Sequence, residues 1–460
     1  MKVQNTIIPL KHKIDALSAY RRLAKHFKPD QLFLLESLAG PETKLRKAMI
    51  GFNPTFTFKI KANDPRRADL LTQLRKIEAS FEVNYEEGPA LPFRFGFFGY
   101  LTYDAVRYFE TLPDILPDTE IPDVILSIYQ GLIHIDLKTQ TSTLILNDIE
   151  GIAPLSASEI EDLLREDLED LPKPLLPKIT AHDSMSKTQY LQKAEIALEH
   201  IRKGDIYQLQ LGHEIKIQST IDPFSVYQRM RELNPSPFMY FTQLEDVTFM
   251  GASPELCVNL NQDQVTIRPL AGTIRRGAND AEDEILKSKL LNDPKERAEH
   301  IMLIDLARND IGRVCAVNTL KVTELMILER YSHVFHIVSN VIGQLAQGFD
   351  HYDVIAASFP AGTLTGTPKV RAMELIEALE TTRRGIYGGC LGFIDFRGNT
   401  EMAISIRTAL YQNQTYSIRA SAGIVIDSHP ESEWQETLSK MAGPYLAITG
   451  RDLKHENFID

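Results

Sequence analysis

In "SKTQYLQKAEIALEHIRKGD" apolar side chains return every three to four positions and the pattern stops at Gly204, which predicts a helix ending there. Immediately afterwards "IYQLQLGHEIKIQ" alternates apolar and polar residues with period two, the pattern of a strand with one buried face. A helix thus feeds a strand. The same reading places an early helix over "DALSAYRRLAKHF" and short strands at "FTFKIK" and "TSTLILND" in the front part of the chain. Further strands are predicted at "VTFMGAS", "VTIRPLAG", "GGCLGFIDF", "MAISIRTAL" and "QTYSIRASAGIVI", with long helices between some of them. Hairpin-like strand pairs mixed with helices predict an α+β fold with large antiparallel sheets and surrounding helices, rather than a doubly wound parallel one.

An acidic helix in "EIEDLLREDLEDLPKPLLPKITAHDSMS" runs into Pro172, Pro174 and Pro177, which cannot continue it. That break divides the chain into an N-terminal α+β domain (1–170), a proline-containing linker (171–186) and a second domain (187–450). With 460 residues, 43% of them hydrophobic and 24% charged, the chain has ordinary globular composition. Its formal charge of −12 leaves no basic surplus for displacing counterions, which argues against nucleic-acid or acidic-membrane partners. No apolar run approaches the roughly 20 residues that span a bilayer, and "MKVQNTIIPLKHK" has no signal-peptide core, so a cytoplasmic location is expected. Cys257, Cys315 and Cys390 stand singly in apolar settings without metal or CxxC spacing, as buried reduced thiols do. Neither GxGxxG nor a Walker loop is present.

Candidate chemistry begins at "NDPKERAEHIML", where Glu296 and Glu299 lie one helical turn apart just ahead of a large apolar run. Asp293 and Pro294 open that helix. A second segment, "SHPESEWQETLSK", repeats the grammar: Ser428 and Glu431 have capping-box spacing, Pro430 suits the first turn, and Glu433, Glu436 and Lys440 fall on one stripe. Two such glutamate pairs could give carboxylate oxygens to one hard cation that keeps several waters, as Mg²⁺ does. Ordinary surface acids at helix N-termini have the same spacing. In "FPAGTLTGTPKVRAMELIEALE", Gly362, Thr363, Gly366 and Thr367 precede Pro368 and a helix, so free backbone N–H groups face whatever the loop surrounds. Ala422 and Gly423 in "SAGIV" allow a ligand to approach a strand closely, and Arg407 in "MAISIRTAL" is a guanidinium needing a carboxylate. Together these describe a pocket for a small dianion.

The strings "GDIYQLQL", "GASPEL", "RPLAGT", "KERAEHIMLIDLARNDIGRV", "YSHVFHIVSNV", "FPAGTLTGTPKVRAMELIEALE", "RRGIYGG", "ISIRT" and "AGIVIDSHPESEWQET" resemble, in order, the signature of chorismate-using enzymes of the anthranilate synthase component I type. The resemblance spans roughly residues 187 to 445, and "LFLLES" and "FGFFGYLTYDAVRYFE" are similar to the family's N-terminal part. It implies a Mg²⁺-dependent enzyme acting on chorismate, with Glu299 and Glu436 at the metal directly or through water, and Glu296 and Glu433 holding its water shell. It further implies Glu255 as the general acid for the departing ring hydroxyl, with His336 and Thr363 near the reaction centre. Tyr387, Arg407 and Gly423 would grip the enolpyruvyl carboxylate, and Lys440 would add positive charge near the ring carboxylate.

Similar enzymes that add water carry a lysine where Gln208 stands, and a neutral amide cannot serve as that base. Ala271 likewise excludes the covalent-lysine route of many aminodeoxychorismate synthases. The resemblance therefore implies direct attack of ammonia and loss of pyruvate to give anthranilate, for tryptophan biosynthesis. The alternative is 4-amino-4-deoxychorismate. None of the cysteines sits in a nucleophile elbow, so ammonia is expected from a separate glutamine amidotransferase subunit. Ser37, Asn234, Pro235 and Met239 match a tryptophan feedback pocket. "LRKAMIGFNP" departs from the family pattern there, and His213 and Glu214 in "QLQLGHEI" replace its usual Ser and Arg.

Overall fold

A computed structural model describes residues 1–40, 46–169, 179–331 and 334–456. Pro172, Pro174 and Pro177 lie outside the described residues. Helices Lys187–Arg202 and Pro294–Gly312 form close to their patterns, and each opens on a side-chain cap. Helix Lys187–Arg202 opens on Ser186, whose hydroxyl accepts the Gln189 N–H at 3.3 Å while the Gln189 side chain accepts the Ser186 N–H at 3.0 Å. Helix Pro294–Gly312 opens on Asp293, which accepts from Lys295 N at 2.9 Å and Glu296 N at 3.2 Å.

The described strands join into one large, mostly antiparallel sheet system; the pairing of Lys2–Leu10 with Glu82–Tyr85 is parallel. Strands from the front of the chain are woven between strands from the back. Leu32–Glu36 pairs with Phe238–Leu244, and Gly96–Leu101 pairs with Cys390–Asp395.

Strand Gln208–Gln218 carries the site. It pairs antiparallel with Thr415–Ile424, setting Gln210 opposite Gly423 and Leu211 opposite Ala422. The two-residue strand Gly366–Thr367 pairs with its first residues. Because side chains alternate, Leu209 and Leu211 face one way and Gln208 and Gln210 the other. The leucines enter a buried cluster with Tyr190, Ala194, Leu375, Ile376 and Trp434, which clamps helices Lys187–Arg202, Lys369–Leu379 and Pro430–Thr449 against the strand. Burying each such leucine stabilises the clamp by about 1.5–3 kcal/mol.

Four sequence expectations are corrected. "MAISIRTAL" is two strands, Thr400–Ile404 and Thr408–Gln412, because Arg407 turns the chain with φ of 52°. "VTIRPLAG" likewise splits into Gln264–Ile267 and Leu270–Arg275 around Pro269, which has no N–H for the ladder. The acidic helix ends early, at Leu163: Arg22 Nε and Lys25 Nζ donate to the Glu166 and Asp167 carbonyls at 2.7 and 2.6 Å, so those groups do not extend the helix. Finally, Ser428 and Glu431 form no capping box. His429 is the N-cap of Pro430–Thr449, Ser428 Oγ accepts the Val425 N–H at 3.1 Å, and Glu431 pairs with Lys187 at 2.7 Å.

Among the described residues no helix is long and apolar enough to cross a membrane. Cys257 and Cys390 are buried free thiols and Cys315 is half-buried. Cys257 and Cys390, far apart in sequence, touch, and burial followed by that contact pushes the Cys390 thiol up.

Candidate active site

The early turns of helices Pro294–Gly312 and Pro430–Thr449 converge on the start of strand Gln208–Gln218. Gln208 Nε2 donates to Glu299 Oε1 at 3.0 Å. Burial first, and then the charges of Glu296 and Glu436, push the Glu299 carboxyl up to about 7. Glu296 is raised by burial and then by Asp293, and it too feels Glu436. Glu433 is also raised by burial, and Glu436 adds to the effect. Cations temper this group: Lys440 Nζ is 2.5 Å from Glu436 Oε1 and also donates to the Ser421 carbonyl at 2.9 Å, and the charge of Lys295 lowers Glu296, Glu299 and Glu433. Backbone shape admits the acids. Gly272, with φ of 78°, lies in a bulge between Ala271 and Thr273, where an added Cβ would come 3.1 Å from Glu296 Oε2.

Among the described residues no three His, Cys, Asp or Glu side chains are already drawn into a finished metal cage. The donor chemistry nevertheless suits a hard divalent cation. Four carboxylates share one neighbourhood, and the charges of Glu296 and Glu436 add to burial in raising Glu299, a repulsion that such an ion would relieve.

Beside the glutamates, Glu255 is buried and accepts the Thr363 hydroxyl at 2.9 Å. Burial pushes its carboxyl up to about 7, against the lowering effects of Thr363, the Leu270 N–H, Arg407 and Lys440. It can therefore hold a proton near neutrality. His336 shares a 2.9 Å hydrogen bond with Thr273 Oγ1 through Nδ1, and the Tyr331 ring meets it edge-on at 5.2 Å. Burial pushes His336 down to about 4, so it is a neutral imidazole.

Within reach of the charges of Glu436 and Glu255, Arg407 makes no ion pair with any described residue, contrary to the expectation of a carboxylate partner. Burial lowers its pKa, and Tyr387, Glu436 and Glu255 only partly offset that. A largely buried, unpaired guanidinium at a left-handed backbone position is costly, and an anionic ligand would balance it. Tyr387 and Ser421 exchange hydrogen bonds of 2.7 and 2.8 Å next to it. Gly423 leaves room: a Cβ there would come 2.8 Å from Gln208 Nε2, 3.0 Å from Gln210 Nε2 and 3.7 Å from Glu299 Oε1. Ala422, its neighbour, is buried.

Residues 30–445 match the family described as chorismate binding enzyme. The chain belongs to that family. It is 41% identical to 2-amino-4-deoxychorismate synthase of Streptomyces globisporus, covering 95% of each chain. It is 37% identical to anthranilate synthase component 1 of Aquifex aeolicus, over 90% of this chain and 88% of the relative. Among solved structures, anthranilate synthase component I from Streptococcus pneumoniae superposes with a TM-score of 0.75 at 31% identity, covering 88% of this chain and 93% of that one. The protein is a chorismate-utilising enzyme, with the mixed fold and large curled antiparallel sheet of that family.

The remaining residues singled out from sequence fall elsewhere. Ser37 and Met239 line a cavity of about 80 Å³ between the strands around Glu36 and Tyr240. Asn234 caps helix Pro223–Leu233, and neither it nor Pro235 lines that cavity. His213 points away from the site: its ring nitrogens meet Asp183 at 2.8 Å and Thr437 at 2.7 Å, and it stacks on Trp434 at 4.4 Å. Glu214 lies on the opposite face and meets Lys216 at 3.9 Å. Sequence reasoning missed Ser421, Thr273 and Gln210. Gln210 could have been found, because it shares the strand face of Gln208.

Proposed function

We propose that this protein converts chorismate and ammonia to anthranilate and pyruvate, with Mg²⁺ as its cofactor and ammonia delivered by a glutamine amidotransferase partner. The observation that carries the reading is that four converging glutamates and the unpaired Arg407 belong to one neighbourhood, with the open backbone of Gly423 beside Glu299, which fits an anion carrying two carboxylates. Glu296, Glu299, Glu433 and Glu436 would hold the ion, and when bound it would offset the charge of the ring carboxylate. Arg407, Tyr387 and the Gly423 backbone orient the enolpyruvyl carboxylate. Glu255, protonated and bonded to Thr363, gives its proton to the departing ring hydroxyl. Neutral Gln208 cannot activate water as a base, which favours ammonia as the nucleophile.

A second reading stops earlier. The relative at 41% identity is named for a 2-amino-4-deoxychorismate product, which keeps the enolpyruvyl group. Amination at the same ring carbon leads to either product, and the two part only at elimination of pyruvate. Purified protein incubated with chorismate, MgCl₂ and an ammonium salt decides between them. Stoichiometric anthranilate and pyruvate support the first reading; a 2-amino product without pyruvate supports the second; 4-amino-4-deoxychorismate, the alternative raised by the resemblance, or isochorismate overturns both.

A further inference from the structure

Gln208 and Gln210 present two carboxamides on one face of strand Gln208–Gln218, and Gln210 lies directly across from Gly423. Gln208 is committed through Nε2 to Glu299. Gln210 is held differently. The Ser421 N–H donates to the Tyr387 hydroxyl oxygen at 2.8 Å, the Tyr387 hydroxyl donates to Ser421 Oγ at 2.7 Å, and the Ser421 hydroxyl donates to Gln210 Oε1 at 2.8 Å. This arrangement uses every proton once and fixes which end of the amide faces Ser421. The backbone is pinned as well: the Gln210 N–H donates to the Thr365 carbonyl at 2.9 Å, and Arg384 Nη2 donates to the Gln210 carbonyl at 2.8 Å.

The other end of the amide, Nε2, carries two N–H groups that no described residue accepts. It lies 3.0 Å from the place a Gly423 Cβ would occupy, and Gln210 is only 8% exposed. Nε2 is not sealed off from solvent as the buried Gln208 Oε1 is, so it is a preoriented donor that a ligand entering the site can reach.

We propose that Gln210 Nε2 donates a hydrogen bond to the substrate carboxylate lying over Gly423, making Gln210 a substrate-binding residue beside Arg407. The inference rests on the chorismate reading above. A neutral amide suits the place, since a lysine there would be drawn to Glu299 and would compete with the metal.

The test is calorimetric titration of chorismate into Mg²⁺-saturated protein without ammonia, for wild type, Gln210→Leu and Gln210→Asn. A hydrogen bond to a charged group predicts a Kd raised about tenfold or more in Gln210→Leu, with Gln210→Asn between it and wild type. Half-saturating Mg²⁺ should stay unchanged in both, which a general loosening of the site would not allow. Chorismate Kd values within twofold of wild type in the folded variants would overturn the proposal. So would a matching loss of Mg²⁺ affinity. If Gln210→Leu does not fold, Gln210→Asn alone decides by the same criteria. Failure of the wild-type protein to bind chorismate would overturn the underlying reading instead.

Discussion

Single residues at the site are held in states that cost stability and make sense only with a ligand. Glu255 is the clearest case: its pKa of about 7 comes from burial, and its reactive form is the protonated one. Because that form is lost as pH rises through the folded value, kcat/KM should fall on the alkaline side with an apparent pKa near 7. Glu255→Gln should lower kcat by roughly 10²- to 10⁴-fold, the range for a general acid. A rate that keeps rising through pH 8, or a variant with near wild-type turnover, would remove Glu255 from that role. Arg407 makes a complementary case. Replacing it with glycine removes both an unpaired charge and a left-handed non-glycine backbone, so Arg407→Gly should stabilise the fold by about 1 kcal/mol while weakening chorismate binding. Thermal melts and substrate titration on the same sample check both halves of that trade.

Elements bring these residues together by packing that local patterns only partly reveal. The 3.6-residue period of Lys187–Arg202 and the alternation of Gln208–Gln218 were legible, since each depends on a few consecutive side chains. The break at Arg407 was not, because "MAISIRTAL" keeps the apolar–polar alternation of a strand from Ile404 to Arg407 and nothing local marks the positive φ. His213 shows the same limit. It reads as a polar departure within a strand, yet it is satisfied by Asp183, Thr437 and Trp434 from two other elements, and so ties the strand to helix Pro430–Thr449. Leu211 belongs to the same clamp, and Leu211→Ala should cost about 2–5 kcal/mol in denaturant unfolding. A loss below 0.5 kcal/mol, estimated as roughly a surface change, would mean that the clamp is not the core feature described.

At the scale of the whole molecule, hydrogen bonding crosses freely between the front and back of the chain. The strand pairs Leu32–Glu36 with Phe238–Leu244 and Gly96–Leu101 with Cys390–Asp395 would leave open sheet edges if separated. Residues 179–460 expressed alone should therefore aggregate or unfold, as judged by circular dichroism and size-exclusion chromatography; a monomeric fragment with a cooperative melt would show that the rear half is self-sufficient. Such long-range pairing had no local trace in the sequence, whereas the glutamate pairs did, because each begins a helix with its own opening residues. What the pattern could not supply was that the two helices meet.

That meeting is the central claim, and the Mg²⁺ dependence of chorismate consumption tests it most directly. Wild type, Glu299→Gln and Glu436→Gln are stripped with chelator and titrated with Mg²⁺ side by side. One saturable ion requirement in wild type, weakened about tenfold or more in each variant, is the predicted result. Full turnover after chelation, or a wild-type half-saturation in either variant, would contradict it.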